Sequence, residues 1–224
     1  MLIVAATAAE IAPLLAALEQ APGGDTRLTT CRYGAHHVDV LTTGVGMVAT
    51  AAWSSRLLAE RDYDLALNLG VCGSFDPAIP LGAVVHVTSE ELPEMGAEAD
   101  GRLLTLRDLK LLGDDEFPFR DGRLVNTEPP QIGPLKSLRR VHGITINTVH
   151  GSESSIAAVR QRCDPQVETM EGAAFMYACL IRQVRFAEVR AVSNIVEKRN
   201  RAAWKIGEAI DNLNAAALHV LDQA

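Results

Sequence analysis

No stretch of this 224-residue chain reaches the ~18 consecutive apolar residues of a membrane-spanning helix, so no such span is expected. Nor is there a basic run. The formal net charge of -7 disfavours nucleic acid and other polyanions as partners. The opening residues lack the basic start of a secretory leader, and the apolar run Leu2 to Ala6 is shorter than the ~7 residues a leader core requires. The four cysteines, Cys31, Cys72, Cys163 and Cys179, form no C-x-x-C pair and have no histidine at metal-ligand spacing. Neither a zinc site nor a disulfide framework is indicated, and free thiols suit a reducing cytoplasm. Internal repeats and low-complexity tracts are also missing. What is left is a globular protein that works on small molecules.

Apolar residues are plentiful by contrast: they make up 48% of the chain against 22% charged, which favours one substantial core over disorder. At this length a single domain spanning 1-224 is expected. Leu2 to Ala6 reads as a buried strand, and Ile11, Leu14, Leu15 and Leu18 follow at helical spacing. His37 to Thr43 alternates as a strand and stops at Gly44-Val-Gly46, after which Met47 to Glu60 suits a helix packed closely on a sheet. Asp64 to Val71 is a nearly continuous apolar strand, the pattern of a sheet covered on both faces, and Ala83 to Thr88 gives another strand. Further strands are predicted at Gly143 to Val149 and Phe186 to Val192, with helices at Ser154 to Arg162, Gly172 to Arg182 and Ala202 to Leu221.

From Glu90 to about Lys136 the pattern is broken by Pro93, Pro118, Pro129, Pro130 and Pro134 and by several glycine turns. This segment reads as a long excursion holding short hairpin strands, either a substrate lid or subunit contact or a plain surface loop. Strands alternating with helices elsewhere predict a three-layer α/β/α fold around a central mixed, mainly parallel sheet, where ligands gather at the carboxyl ends of strands.

Gly44-Val-Gly46-Met-Val-Ala49 satisfies the dinucleotide fingerprint G-x-G-x-x-A between a strand and a helix, and alone it suggests a dehydrogenase. That motif also needs an acid at the end of the next strand to hold the ribose hydroxyls. Asp62 and Asp64 stand before that strand instead, and its end reads Leu69-Gly70-Val71. The turn is therefore read as one that lets a helix approach the sheet, with no dinucleotide bound.

Chemistry is expected at three strand-end segments: Asn68-Leu-Gly-Val-Cys-Gly-Ser74, Val167-Glu-Thr-Met-Glu-Gly-Ala-Ala174 and Val192-Ser-Asn-Ile-Val-Glu-Lys-Arg-Asn200. Together with Glu10, in this order and spacing, they resemble the purine nucleoside phosphorylase/nucleosidase superfamily. The likeness runs from the opening strand to the terminal helix and is weakest in the proline-rich middle. It implies a nucleoside phosphorylase-like fold, a purine nucleoside substrate, no metal or organic cofactor, and assembly into a homo-oligomer.

Cleaving an N-glycosidic bond requires a stabilised cationic sugar, a nucleophile at its anomeric carbon and help for the departing base. Met170-Glu171 matches the Met-Glu pair of the superfamily, which puts Glu171 on the ribose hydroxyls, where its charge favours an oxocarbenium-like transition state. The plainer alternative is a helix-start acid favoured by the macrodipole. Glu10 corresponds to the carboxylate that positions and deprotonates water, its plainer alternative being a helix cap. The resemblance also assigns Val71, Cys72, Gly73 and Ser193 to the substrate, while Glu168 either supports the pocket or faces solvent.

Phosphorylases of the superfamily place one Arg two residues before the first Gly of the strand-end loop and another near the first strand. The loop position here is Asn68, and residues 1–20 contain no Arg or Lys. Without cations to hold a phosphate dianion, water is the expected nucleophile. Members acting on adenine nucleosides carry Ser-Asp where this chain has Ser193-Asn194, and that Asp protonates the purine N7 and binds the 6-amino group. Asn194 cannot supply the proton, but its carboxamide donates to a 6-oxo group while still engaging N7. A 6-oxopurine also departs more readily as a delocalised anion. The resemblance thus points to release of hypoxanthine; an adenine-specific nucleosidase and a non-catalytic nucleoside-binding protein are the alternatives. Arg199, with Lys198, either meets a carboxylate carried beyond the ribose or forms a solvated basic turn. His150 borders the substrate or lies on the surface, and Trp53 and Trp204 read as packing residues.

Overall fold

The computed structural model describes residues 1–22, 26–113 and 115–224. The first half of the chain contributes β1 (Leu2–Ala5), α1 (Ala12–Ala17), β2 (Glu19–Gln20), β3 (Leu28–Tyr33), β4 (His36–Thr42), α2 (Met47–Glu60), β5 (Ala66–Ser74) and β6 (Val84–Glu91). The excursion then holds β7 (Gly96–Ala99), β8 (Arg102–Thr105), β9 (Phe119–Arg120), β10 (Arg123–Val125) and α3 (Gly133–Ser137). The chain closes with β11 (Arg139–Thr145), α4 (Glu153–Arg162), β12 (Val167–Thr169), α5 (Gly172–Arg182), β13 (Phe186–Ile195) and α6 (Ile206–Leu221).

Eleven strands join one sheet in the order β2-β3-β4-β1-β5-β12-β11-β6-β10-β9, with β13 bridging β5 and β6. That bridge closes a ring, since β5 pairs β12, β12 pairs β11, β11 pairs β6, and β6 and β5 both pair β13. Among the described pairings of this sheet five are parallel and six antiparallel, so it is mixed, and its longest ladder, β13 on β5, is parallel. The antiparallel share comes from β3, from the short β2, β9, β10 and β12, which carry too few residues to show a period, and from β13 against β6.

Alternation along the strands sorts the core into two clusters. Leu2 and Val4 of β1 join Leu57 and Leu58 of α2 and Phe175 and Met176 of α5, while Ile3 and Ala5 join Leu14 of α1 and Leu213 and Ala217 of α6. β13 behaves likewise, with Phe186 and Val192 in the first cluster and Ala187, Val189 and Ala191 in the second. Helices α2 and α5 begin and end where the sequence places them; the expected Glu10 to Leu18 helix is divided into a 3-10 turn, Ala8–Ile11, and α1, which carries Pro13 in its first turn. β7 and β8 form a separate hairpin, as the excursion predicts.

Candidate active site

Glu10 sits in the 3-10 turn after β1. Its Oε2 accepts hydrogen bonds from the Thr7 N–H at 3.0 Å and the Thr7 hydroxyl at 2.9 Å, the Thr-x-x-Glu capping arrangement. Its Oε1 accepts from the Val71 N–H at 3.2 Å. The helix-cap reading is therefore true of one oxygen, while the other faces the end of β5. Buried Asn214 of α6 ties the turn down from behind, donating to the Glu10 carbonyl at 2.8 Å and accepting from the Leu14 N–H at 2.9 Å.

Glu171 precedes α5 and is 6% exposed, yet its side chain does not cap that helix. Its Oε1 accepts from the Gly46 N–H at 2.9 Å and its Oε2 lies 3.7 Å from Arg190 Nη1. Gly46 has φ 97°, a backbone state that favours glycine, and this aims its N–H across the turn at the carboxylate. The fingerprint-like Gly44-Val-Gly46 turn thus serves an acid of the chain itself.

Arg190, on β13, joins these acids and was not singled out by motif. Its Nε donates to Glu188 Oε1 at 2.8 Å and its Nη2 to Asn68 Oδ1, while Asn68 Nδ2 donates to the Val4 carbonyl at 3.0 Å. The position that an Arg fills in phosphorylases therefore holds an amide that anchors a buried Arg. A β-carbon on Gly70 would collide with the Arg190 guanidinium and lie 3.1 Å from Glu10 Oε1, so both groups converge above one glycine. Burial disfavours the charge on Arg190, but Glu188, then Glu171 and more weakly Glu10, hold its pKa above the ordinary arginine value. Behind it, Glu188 and Glu90 are both fully buried, and their carboxyls titrate above the usual range, first through desolvation and, for Glu90, next through the charge of Glu188. A β-carbon on Gly172 would strike both carboxylates.

Farther along the same two strands lies the second half of the site. Arg190 pairs with Gly70 and Asn194 with Gly73, with an irregularity between Val192 and Asn194 that inserts Ser193 as a bulge. The Ser193 hydroxyl is 2.9 Å from Asn194 Oδ1 and 3.2 Å from the Cys72 carbonyl. Donation to Oδ1 leaves the Asn194 amide nitrogen as the donor end. The Cys72 side chain itself packs in the first core cluster, and burial pushes its thiol far up, so only its main chain reaches the site.

Glu168 is 3% exposed, which removes the solvent-facing reading, and His150 binds it through ring and backbone. Met170 is partly buried beside Glu171. Arg199 stands apart from both acids: it is exposed, its guanidinium lies 5.3 Å from the Trp204 ring centroid, and its N–H donates to the Gly151 carbonyl at 3.0 Å. The Lys205 N–H returns that loop to the Ser193 carbonyl at 2.8 Å. A cleft of about 630 Å³ lies elsewhere, beside the β7–β8 hairpin, lined by Glu91, Leu92, Arg102, Phe119 and Arg162 among others. Among the described residues no helix is long and apolar enough to cross a membrane.

Three steps along β5, from Gly70 to Gly73, span about 10 Å. Two acids and a cation stand beside the first of these glycines and an amide beside the second. Residues 1–127 match the Phosphorylase superfamily, and the chain belongs to it. It is 33% identical over 184 residues to the futalosine hydrolase of Streptomyces coelicolor, covering 80% of this chain and 76% of that one. It is 30% identical over 187 residues to the futalosine hydrolase of Thermus thermophilus, covering 81% and 80%. In fold it matches a 5'-methylthioadenosine/S-adenosylhomocysteine nucleosidase from Colwellia psychrerythraea, solved with adenine, at a TM-score of 0.80 and 20% identity over 99% of this chain and 94% of that one. Within the superfamily the chain is a hydrolase acting on N-glycosyl bonds.

Proposed function

We propose that this enzyme hydrolyses the N-glycosidic bond of futalosine, releasing hypoxanthine and dehypoxanthine futalosine, a step of menaquinone biosynthesis in the cytoplasm. The observation that carries this reading is Asn194, whose oxygen is held by Ser193 and whose amide nitrogen gives one hydrogen to the Ile195 carbonyl at 3.2 Å and keeps a second to donate, where adenine-cleaving members would need an acid. The futalosine hydrolases at about one-third identity point the same way.

In this reading Glu10 takes a proton from water, and the water oxygen bonds to the anomeric carbon as the carbon–nitrogen bond breaks. The electron pair leaves with the base, whose oxopurine anion Asn194 steadies until it is protonated. Glu171, flanked by Met170, holds the ribose hydroxyls and sets negative charge beside the cationic sugar, with Arg190 balancing the two acids. Val71 fixes Glu10 through its N–H, and Cys72, Gly73 and Ser193 line the base. Arg199 on Trp204 offers a cation and an aromatic face suited to the benzoate carboxylate of futalosine. The helices lie as outer layers about the sheet, and two copies meet through the exposed apolar strip Val45, Val48, Tyr177 and Ile181. Sedimentation of Val48→Glu against the parent chain checks the last point.

The deciding assay offers futalosine, 6-amino-6-deoxyfutalosine and methylthioadenosine separately and measures free base. Futalosine is expected to react at least tenfold faster in kcat/KM than either 6-amino compound. A preference for methylthioadenosine would replace this reading with that of an adenine nucleosidase.

A further inference from the structure

Gly73 is the one residue of β5 paired on both sides to a polar side chain of the site: its register partner on β13 is Asn194 and on β12 is Glu168. A β-carbon there would lie 2.9 Å from Val196 Cγ2, 3.1 Å from Asn194 Nδ2 and 3.3 Å from Glu168 Cγ, so the three side chains crowd the same face of the strand. Asn194 and Glu168 are therefore neighbours, and a base that meets the Asn194 amide comes up beside Glu168 as well. Glu168 does not stand alone. Its Oε2 is 2.6 Å from His150 Nδ1 and its Oε1 accepts the His150 N–H at 3.2 Å. The imidazole side chain is 7% exposed, with Phe75 at its edge, 6.0 Å between ring centroids. Among the described residues the hydrogen bonds of His150 to Glu168 run through its N–H and Nδ1 and do not use Nε2.

A carboxylate gripping Nδ1 fixes the imidazole tautomer: the proton stays on Nδ1, and Nε2 presents a lone pair. The geometry points to the Glu168–His150 pair as the reader of the six-membered edge of the base, with His150 Nε2 accepting from N1–H of a 6-oxopurine and Glu168 acting as its positioning residue. This deepens the functional reading above and rests on it. The chemistry is discriminating because N1 of a 6-aminopurine carries a lone pair and no hydrogen, so the same edge would meet acceptor with acceptor. Asn194 and His150 then divide recognition, the remaining amide hydrogen of Asn194 serving the 6-oxo side of the base and the imidazole serving N1. Burial holds the Glu168 pKa above the usual carboxylate range, and the His150 bonds offset part of that rise.

The test compares kcat/KM for futalosine and 6-amino-6-deoxyfutalosine in the parent enzyme and in His150→Ala, His150→Asn, Glu168→Gln and Glu168→Leu, with hypoxanthine and adenine affinities measured by calorimetry. His150→Ala is expected to lower the futalosine value about tenfold or more while leaving the 6-amino value within about threefold, and to lose the preference for hypoxanthine over adenine. Glu168→Gln, which retains an oxygen for Nδ1–H, should keep most of the preference that Glu168→Leu loses. A merely structural role would lower both substrates together. If the parent enzyme prefers futalosine and the ratio survives in folded His150→Ala or His150→Asn, the inference is overturned and the functional reading stands. If the parent prefers the 6-amino substrate, both fall.

Discussion

Glu171 Oε2 and Arg190 Nη1 lie 3.7 Å apart with both side chains almost wholly out of solvent, and Arg190 is also held by Glu188 and Asn68. One buried cation thus answers three acids, Glu188, Glu171 and, more weakly, Glu10. Arg190→Met would leave them uncompensated, and removing one partner of a buried pair typically costs about 3–5 kcal/mol. Urea unfolding at pH 7 should show a loss of that order together with loss of turnover; a change below about 1 kcal/mol would mean that water already solvates the acids.

Glu10 offers one oxygen to Thr7 and the other to Val71. In Glu10→Gln the side-chain carbonyl still accepts, so the turn should fold, but the amide cannot take a proton from water. Initial rates of base release are expected to fall about 100-fold or more with KM changed only a few-fold. Retention of full turnover would remove Glu10 from the chemistry.

Asn194→Asp restores an acid at the base end of the site. The ratio of 6-amino to 6-oxo kcat/KM should rise about tenfold or more, read by the same base-release assay. An unchanged ratio would count against base selection by this residue.

Glu90 and Glu188 are raised in the folded protein, by burial and, for Glu90, by the charge of Glu188. An acid with a raised folded pKa binds its proton more tightly in the native state. Its favourable contribution is therefore complete at low pH and is lost as pH rises through that raised pKa. Glu90→Gln should accordingly be more stable than the parent at pH 8, by about 1 kcal/mol or more, or roughly 2–4 °C in Tm, with the gap closing towards pH 4. Calorimetric melts across that range would show it, and a gap independent of pH would refute the raised ionisation of Glu90.

Much of this was legible beforehand. Periodicity located α2 and α5, and the short motifs singled out Glu10 and Glu171, which the fold brings to Val71 of β5 and to the Gly46 turn. Arg190 was missed since no motif marks it, although a signal existed: in Phe186-Ala-Glu-Val-Arg-Ala-Val192 the two charges share one face of a strand otherwise buried on both sides. The partnership of Glu168 with His150 could not be read, because it depends on which strand β12 pairs with. The bulge at Ser193 is equally invisible to alternation, being a property of the register with β5.

Since β5, β12, β11, β6 and β13 close on one another, each is held by strands on both sides. Room at this hoop cannot be gained by peeling a strand away, and neither can the hoop slip its register one residue at a time. Adapting the enzyme to another base is left to side-chain exchanges above an unchanging backbone and to the loops at its mouth, which confines the evolution of substrate choice to a few addressable positions.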